Sequence, residues 1–261
     1  MKSRGFALLA VLWVITALTA LTGAGLLVAR LGHDTTRNRV LLARAEWARE
    51  ACGEILSSRF AANPAVRAIP AIEFGRGTWC RASLDDPAGK LNLNTADQAA
   101  LMQLFSVVGS QRAVAESAVA MRRRATIYDL TEIPGVDSAL GLRLAAFVTV
   151  RGTGVVNVAV ASPEVLRLLP GMTEEAVLVL MGRRTNRPLQ SPDELAGALS
   201  PSGRTVLLSN YAEFVRAATF APPQLIVTVE GGVRGTPIVS RATLTVVPVP
   251  GRLAVLRRET E

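Results

Sequence analysis

The longest apolar stretch of the chain lies near its N-terminus, where no charged residue occurs from Phe6 to Ala29. As a helix with a rise of ~1.5 Å per residue, this run would be about 36 Å long, enough to cross the ~30 Å hydrocarbon core of a bilayer. The apolar region of a secretory signal peptide is shorter, ~7–15 residues. The pattern therefore predicts a membrane-spanning helix.

Apolar residues continue at three- and four-residue steps beyond this run, with charged residues on the opposite face. This predicts one helix that runs from the membrane into the aqueous phase; the alternative is a simple signal anchor followed by a separate soluble helix. Basic residues flank the run on both sides, so charge alone does not set its orientation. They are Lys2 and Arg4 before it, and Arg30, Arg37, Arg39 and Arg44 after it.

The rest of the chain changes pattern twice. A strand is predicted from Thr78 to Leu84, and helical periodicity then dominates from about residue 94 to residue 214. Three β-rich segments follow, QLIVTVEG, IVSRATLTVVP and LAVLRRE, with turns predicted at Gly231/Gly232 with Gly235, and at Pro250-Gly251. One strand before the helical block and three after it predict a small antiparallel sheet interrupted by a helical insertion.

The helical block contains an internal repeat, in which GKLNLNTADQAALMQLF aligns with GVVNVAVASPEVLRLLPG, and MRRRATIYDL with MGRRTNRPLQSPDEL. Each copy begins with an extended segment that contains asparagine and leads into a capped helix. Thr95 or Asp97 can cap the first copy, and Ser162, followed by proline, caps the second. The acid–leucine pairs Asp129-Leu130 and Glu194-Leu195 are predicted to open the third helix of each copy.

Composition narrows the functional classes. The net charge of +8 and the pI of about 10.8 are compatible with nucleic-acid or anionic-lipid partners. Only 5% of the residues are aromatic, which supplies a base-stacking platform poorly. Cys52, Cys80 and the one histidine, His33, lack the spacing of metal ligands. Neither a G-x-S-x-G nucleophile motif nor a P-loop occurs, so we predict no catalytic residue, no metal site and no enzyme activity.

The leader KSRG before FALLAVLW, the apolar helix, the sheet and the central NLNTA…LTEIPGV…FVTV…GVVNV segment together resemble the K-type minor pseudopilins of type II secretion systems. The resemblance covers nearly the whole chain. It implies an α+β, pilin-like fold with a long N-terminal transmembrane helix packed on a small antiparallel sheet. The central block corresponds to an inserted all-α domain of two related helical repeats.

The resemblance and the changes in pattern divide the chain into five parts. They are a prepilin-type leader (1–5), a transmembrane or filament-core helix (6–30), the helix continuation with a loop and the first strand (31–90), the inserted domain (91–216, with helix-hairpin-helix or SAM-like repeats 91–150 and 155–216) and a C-terminal β-meander (217–261).

The resemblance also implies processing, partners and location. A prepilin peptidase would cut after Gly5 and methylate the new amine of Phe6. The mature subunit would cross the inner membrane once, with its C-terminal domain in the periplasm. At the tip of the pseudopilus it would initiate or cap the fibre required for protein export, together with minor pseudopilins of the I and J types and the major pseudopilin. No cofactor is expected; calcium is compatible with the resemblance, but no residue is assigned to it.

Ala10 is the residue that suggests a tip position. Most pilins have a glutamate at the fifth mature residue, which is thought to pair with the terminal amine of a neighbouring subunit inside the fibre. If Phe6 is the first mature residue, the fifth is Ala10, which has no carboxylate to offer a neighbour above it. The alternative is that Ala10 is one more apolar residue of the anchor.

A DNA-binding function is the main alternative. IPGVDSALGLRLAAFV and NLNTADQAAL also resemble helix-hairpin-helix modules, including those of membrane-anchored competence receptors. In such modules a Pro-Gly hairpin presents backbone N–H groups to a phosphate. Here the residues after Pro134-Gly135 and Pro170-Gly171 include acids and lack a second glycine. Acids at these positions would repel a phosphate, so no nucleic-acid partner is expected.

The two cysteines leave two alternatives open. In an oxidising compartment Cys52 and Cys80 could form a disulfide that ties the long helix to the first strand. As free thiols, they would be small apolar residues.

Replacing Gly5 by leucine should block processing, because a peptidase pocket that accepts only hydrogen at this position excludes a side chain. Immunoblotting of membranes should show a full-length, membrane-retained precursor. Trimming of the variant before Phe6 would show that the cleavage site is assigned wrongly.

Overall fold

A computed structural model describes the chain from residue 3 to residue 260, with side chains from 11 to 259. Its first element is one helix of 60 residues, α1 (Ser3–Ala62), about 90 Å long at 1.5 Å per residue. The helix predicted to continue past the apolar run is therefore confirmed. From residue 45 onward, one face of α1 is buried at three- and four-residue steps, through Ala45, Ala48, Cys52, Leu56 and Phe60.

The other helices lie between residues 98 and 217, and the strands fall on both sides of them and within them. The helices are α2 (Gln98–Val107), α3 (Arg112–Arg122), α4 (Ser138–Ala145), α5 (Pro163–Leu166), α6 (Glu174–Arg183), α7 (Pro192–Ala198), α8 (Pro201–Ser209) and α9 (Tyr211–Ala217). The strands are β1 (Ala68–Gly75), β2 (Thr78–Asp85), β3 (Leu91–Asn92), β4 (Val148–Thr149), β5 (Val156–Asn157), β6 (Ala218–Thr219), β7 (Leu225–Val233), β8 (Val239–Val249) and β9 (Arg252–Thr260). Two 3-10 turns lie at Pro87–Gly89 and Leu130–Glu132.

Five strands form an antiparallel sheet in the order β1-β2-β7-β8-β9. Asp85 of β2 lies opposite Ile226 of β7, although the short helices separate the two strands in the chain. The helical domain is thus inserted between two neighbouring strands. A long N-terminal helix, an antiparallel sheet and additional helices confirm the predicted α+β fold class.

The prediction of one strand before the insertion is wrong, because β1 precedes β2 and pairs with it. Pro70 lies within β1 and cannot donate to a sheet hydrogen bond. β1 is an edge strand, and its register shifts between Ile69 and Ile72, so the missing N–H is tolerated. Sequence reasoning treated the proline as a loop signal and therefore missed the strand.

The predicted turn at Gly231/Gly232 is also wrong, since both glycines lie within β7 and the turn follows at residues 234–238. Gly231 faces α1. A Cβ built on it would lie 2.2 Å from the carbonyl oxygen of Ala45 and 2.5 Å from the amide nitrogen of Arg49. Residue 231 therefore has to be glycine for the helix backbone to lie this close to the sheet.

A disulfide joins α1 to the sheet beside this contact. Cys52 and Cys80 are bonded, with Cα atoms 6.0 Å apart, and Cys80 pairs with Gly231 in the sheet register. The two cysteines are 28 residues apart in the chain, and closing such a loop is worth about 3 kcal/mol in the chain-entropy model. Apolar side chains from α1 and the sheet surround the bridge and form one core, which includes Leu56, Leu84, Val227, Val229 and Val246.

The helical domain has a separate core and consists of two units. β3 pairs in parallel with β4 and closes the first unit, from Leu91 to Thr149. β5 pairs in parallel with β6 and closes the second, from Val156 to Thr219. The segment that leads from β2 into the domain is bonded to both units: Asp86 accepts a hydrogen bond from Asn157 at 2.8 Å, and Lys90 donates one to the carbonyl of Ala145 at 2.7 Å.

Equivalent polar contacts relate the two units. The side-chain oxygens of Asn92 and Asn157 each accept the backbone N–H two residues later, at 2.9 and 3.1 Å. Arg122 donates to two carbonyls of the turn after Asn92, and Arg184 donates to two carbonyls of the turn after Asn157. Burial lowers the pKa of both guanidinium groups. Each arginine thus fastens a helix end to the entry turn of its unit.

The helix caps select between the alternatives left by the sequence. Asp97 caps α2, and Ser162 caps α5.

The second half of the repeat alignment is wrong by three residues. Ser191 caps α7 and Glu194 accepts the amide of Gln190, while in the first unit Asp129 caps the 3-10 turn and Glu132 accepts the amide of Tyr128. Asp129 therefore corresponds to Ser191, and Glu132 to Glu194. The similar acid–leucine pairs concealed this relation, and Asp129-Leu130 opens a 3-10 turn instead of a helix.

Replacing Gly231 by alanine should destabilise the sheet and helix by about 1–3 kcal/mol, because the new methyl group would overlap the backbone of α1. Gly53→Ala on α1 is the matched control: no heavy atom lies within 4 Å of its Cβ position, and alanine favours the helix. Thermal unfolding of the full chain in detergent should show a lower Tm for Gly231→Ala only. Equal Tm values for the two variants would contradict the close contact.

Candidate membrane and assembly site

The first part of α1 presents apolar side chains that contact no other element. From Val11 to Leu31 the large apolar side chains are 57–70% exposed. Within the described residues, α1 is the helix that is long and apolar enough to cross a membrane, with a mean hydropathy of 2.1 over an 18-residue window. This exposed apolar segment (residues 11–31) is typical of a single-pass membrane anchor.

The hydroxyl groups of the exposed apolar segment are satisfied within the helix. Thr16, Thr19 and Thr22 donate to the carbonyls four residues earlier, at 2.5, 2.6 and 2.8 Å. An unpaired hydroxyl in hydrocarbon would cost several kcal/mol, on the order of 2–7 depending on the reference state. The segment can therefore enter lipid or a bundle of helices without an unsatisfied hydroxyl from these threonines.

Small residues interrupt the apolar surface of the same segment. Gly23 and Gly25 have no heavy atom within 4 Å of the position where a Cβ would lie. Ala17 and Ala20 lie at three-residue steps before Gly23. Small side chains at such positions let a second helix approach closely in an apolar environment.

The predicted processing residues fall at the start of α1. The helix begins at Ser3, so the backbone of Gly5, Phe6 and Ala10 is helical. The side chains of residues 3–10 lie outside the described part, and the structure therefore does not test the roles predicted for these three positions. It separates them from Cys52 and Cys80, which join α1 to the sheet more than 40 residues later.

A buried carboxylate on the outer face of the sheet was missed by the sequence analysis. Glu230 is 7% exposed and accepts hydrogen bonds from Arg81, at 2.5 Å, and from Arg241, at 2.9 Å. The three residues lie side by side on β2, β7 and β8. The arginines, Arg81 foremost, lower the pKa of Glu230. One acid within the apolar run LIVTVEGGV was the signal for a paired charge.

The Pro-Gly hairpins of the helical domain have their helix ends occupied by the domain's own side chains. Gly135 and Gly171 turn with φ of 87° and 71°. Asp137 caps α4 and Thr173 caps α6, each accepting a backbone amide, at 2.7 and 3.2 Å. Because these side chains use amides that a phosphate would need, the hairpins lack the open anion site of a DNA-binding module.

The charge of the chain is concentrated outside the helical domain. Residues 91–219 carry 12 basic and 11 acidic residues, whereas residues 1–62 carry 8 basic and 4 acidic ones. The domain that resembles DNA-binding modules is therefore nearly neutral, which is unfavourable for binding a phosphate backbone.

The described residues bring no three His, Cys, Asp or Glu side chains close enough together to hold a metal ion. Asp86 is a hydrogen-bonded cap and not a free ligand, and burial raises its pKa.

No protein-family model matches the sequence, and no curated protein matches it significantly. One chain of the crystal structure of the GspK-GspI-GspJ complex from the enterotoxigenic Escherichia coli type 2 secretion system has a similar fold, with a TM-score of 0.63 at 14% identity. The alignment covers 87% of this chain and 99% of that chain. The unaligned part is much shorter than the helical domain, so the likeness extends over both the sheet and most of the insertion. The chain therefore has the fold of a type II secretion pseudopilin.

Replacing Glu230 by glutamine should cost about 1 kcal/mol at neutral pH, a value reduced because Arg81 and Arg241 are half exposed. The arginines hold the pKa of Glu230 below its unfolded value of ~4.3, so the carboxylate stabilises the fold above that pH. The contribution disappears as the pH falls through the folded pKa.

Thermal unfolding at several pH values measures this effect. Glu116→Gln, which removes an exposed pair with Arg112, is the matched control and should change the Tm little. A Tm difference between wild type and Glu230→Gln that stays constant down to pH 3 would contradict the assignment.

Proposed function

We propose that the chain is a minor pseudopilin of a type II secretion system that lies at the tip of the pseudopilus and initiates or caps it. The observation that carries this proposal is the fold likeness to one chain of the GspK-GspI-GspJ complex, which extends over both the sheet and the inserted domain. The role is structural and assigns no catalytic residue.

The exposed apolar segment supplies the means of assembly. In the precursor it spans the inner membrane, with the globular part in the periplasm. Once a prepilin peptidase has cut after Gly5 and methylated Phe6, the helix leaves the bilayer and packs against helices of other subunits. Contacts between helices then replace contacts with lipid, and Ala17, Ala20 and Gly23 allow a close approach.

The position of the insertion supports a role at the tip. The turn after β7 lies against α1 near residues 38–42, so β7 runs toward the apolar segment, and Leu225, at its start, lies at the opposite end of the sheet. The helical domain joins the sheet at that far end, through Asp85 and Leu225. A bulky domain there would block further subunits above it, and Ala10 offers no carboxylate to a neighbour.

The proposed partners are minor pseudopilins of the I and J types, with the major pseudopilin below them. The solved complex that contains the similar chain supports this set, because it joins GspK to GspI and GspJ.

Ala10→Glu should leave secretion unchanged or reduce it, because an unpaired carboxylate costs about 2.5–3.5 kcal/mol at bilayer-centre depth and less near the interface. Ala10→Gln, of the same size but neutral, is the control. Secretion of exoproteins and pseudopilus length should be measured in the native host, together with cleavage, which the change should not affect. Enhanced secretion from Ala10→Glu would contradict the tip role.

Deleting the inserted domain, roughly residues 91–214 with the remaining connector shortened to a loop, should impair fibre initiation or length control while membrane insertion persists. Because Asp85 and Ile226 are neighbours, a short loop can join the remaining ends. Unchanged fibres after this deletion would contradict the capping role of the domain.

A further inference from the structure

A basic segment of α1 follows directly after the apolar run. Arg30, Arg37 and Arg39 are exposed, as is His33, and Asp34 is the one acid among residues 30–44. No ion pair joins these three arginines to a carboxylate in the described part of the chain. The helix is not buried against the sheet until Ala45. Unpaired charges in this number, on a helix without local partners, indicate that the partner lies outside the chain.

These arginines are within reach of a bilayer surface. The apolar run ends at Ala29, and Arg39 lies about 15 Å further along the helix axis. Side chains on a helix lean toward its N-terminus, which here is the direction of the membrane. The head-group layer extends ~5–7 Å beyond the hydrocarbon. The apolar run is also longer than the hydrocarbon core, which favours a tilted helix and lowers one side of the protein toward the lipid.

Two hairpin tips of the sheet lie at the same level. The turn after β7 lines a groove with Asn38, Leu41 and Leu42 of α1. The amide of Arg234 in that turn donates to the carbonyl of Gly77 at 2.8 Å, so the β1–β2 tip is next to it. The sheet therefore points both tips toward the membrane end of α1.

The β1–β2 tip holds an arginine in a strained conformation. Arg76 has a φ of 50° and is the one non-glycine residue with a positive φ in the described part of the chain. Glycine would adopt this conformation at lower cost, and both neighbours, Gly75 and Gly77, are glycines with positive φ. Arg76 is exposed and, like the arginines of α1, forms no ion pair with a described carboxylate. The turn therefore presents a guanidinium group where the fold itself would favour glycine.

We propose that this end of the globular part docks on the anionic phospholipid head groups of the leaflet from which α1 emerges. The docking surface consists of Arg30, His33, Arg37 and Arg39 of α1 and Arg76 of the β1–β2 tip. Guanidinium groups bind phosphate oxygens through paired hydrogen bonds, and the attraction of a charged leaflet extends over a Debye length, ~8–10 Å. Docking would hold the sheet at a fixed angle to the membrane before assembly. This proposal requires α1 to cross the membrane but does not require a position at the pseudopilus tip.

Hydrogen exchange of the full chain in lipid nanodiscs tests the docking surface. Amides of residues 74–78 and 233–238 should exchange more slowly in discs that contain phosphatidylglycerol than in discs of phosphatidylcholine alone. The protection should be lost in the triple variant Arg37→Gln/Arg39→Gln/Arg76→Gln and at high salt. The triple variant Arg143→Gln/Arg183→Gln/Arg187→Gln removes the same charge from exposed positions of the helical domain and should keep the protection.

Further arms separate the alternatives. Arg76→Gly relieves the backbone strain and should fold normally, yet it should lose protection at residues 74–78. Inorganic phosphate added to phosphatidylcholine discs should leave exchange unchanged; protection by phosphate alone would overturn the proposal in favour of a simple anion site. Equal exchange in both kinds of disc would also overturn it and would point to an acidic protein surface as the partner. Secretion by the variants is not part of this test, so a wrong tip assignment and a wrong docking surface give different results.

Discussion

The contact between the backbone of α1 and Gly231 of β7 is the constraint on which the rest of the structure depends. Residue 231 has no side chain, so the helix lies directly on the sheet, and the disulfide between Cys52 and Cys80 fixes it there. Arg49, buried at the same level, donates to Ser240 of β8 at 3.1 Å. These contacts hold the helix in one register on the sheet. All of α1 before residue 45 consequently projects as an unsupported rod whose apolar surface must be covered by lipid or by other helices.

The separation of the two cores divides the roles within the chain. The core between α1 and the sheet contains no residue from 91 to 219, and the core of the helical domain contains none from α1. The domain is attached where β2 and β7 are neighbours, at the sheet end far from the apolar segment. Its volume can therefore change the end of an assembly without altering the anchor. Asp86 and Lys90 bond the connector to both helical units, which limits how freely the domain can move on the sheet.

The sequence predicted what periodicity and local chemistry determine, and missed what depends on contacts between distant residues. The apolar run, the continued helix, the insertion and the cap of α5 follow from short patterns. Strand β1 was missed because Pro70 is tolerated only at a sheet edge, which the local sequence does not reveal. Gly231 resembled a turn residue because a glycine that accommodates a helix 180 residues away has no distinct local signal. The corresponding roles of Arg122 and Arg184 likewise appear only when the turns they bond are folded.

Photo-crosslinking in the native host tests most directly whether the exposed apolar segment packs against other pseudopilins. A photoreactive residue at Leu18, which is 58% exposed, should yield cross-links to other pseudopilins in cells with an active secretion system. The same residue at Leu142 of the helical domain, which is 78% exposed, serves as the comparison for a surface outside the helix bundle. Cross-links from Leu18 to lipid alone, with the secretion system active, would contradict assembly through this helix.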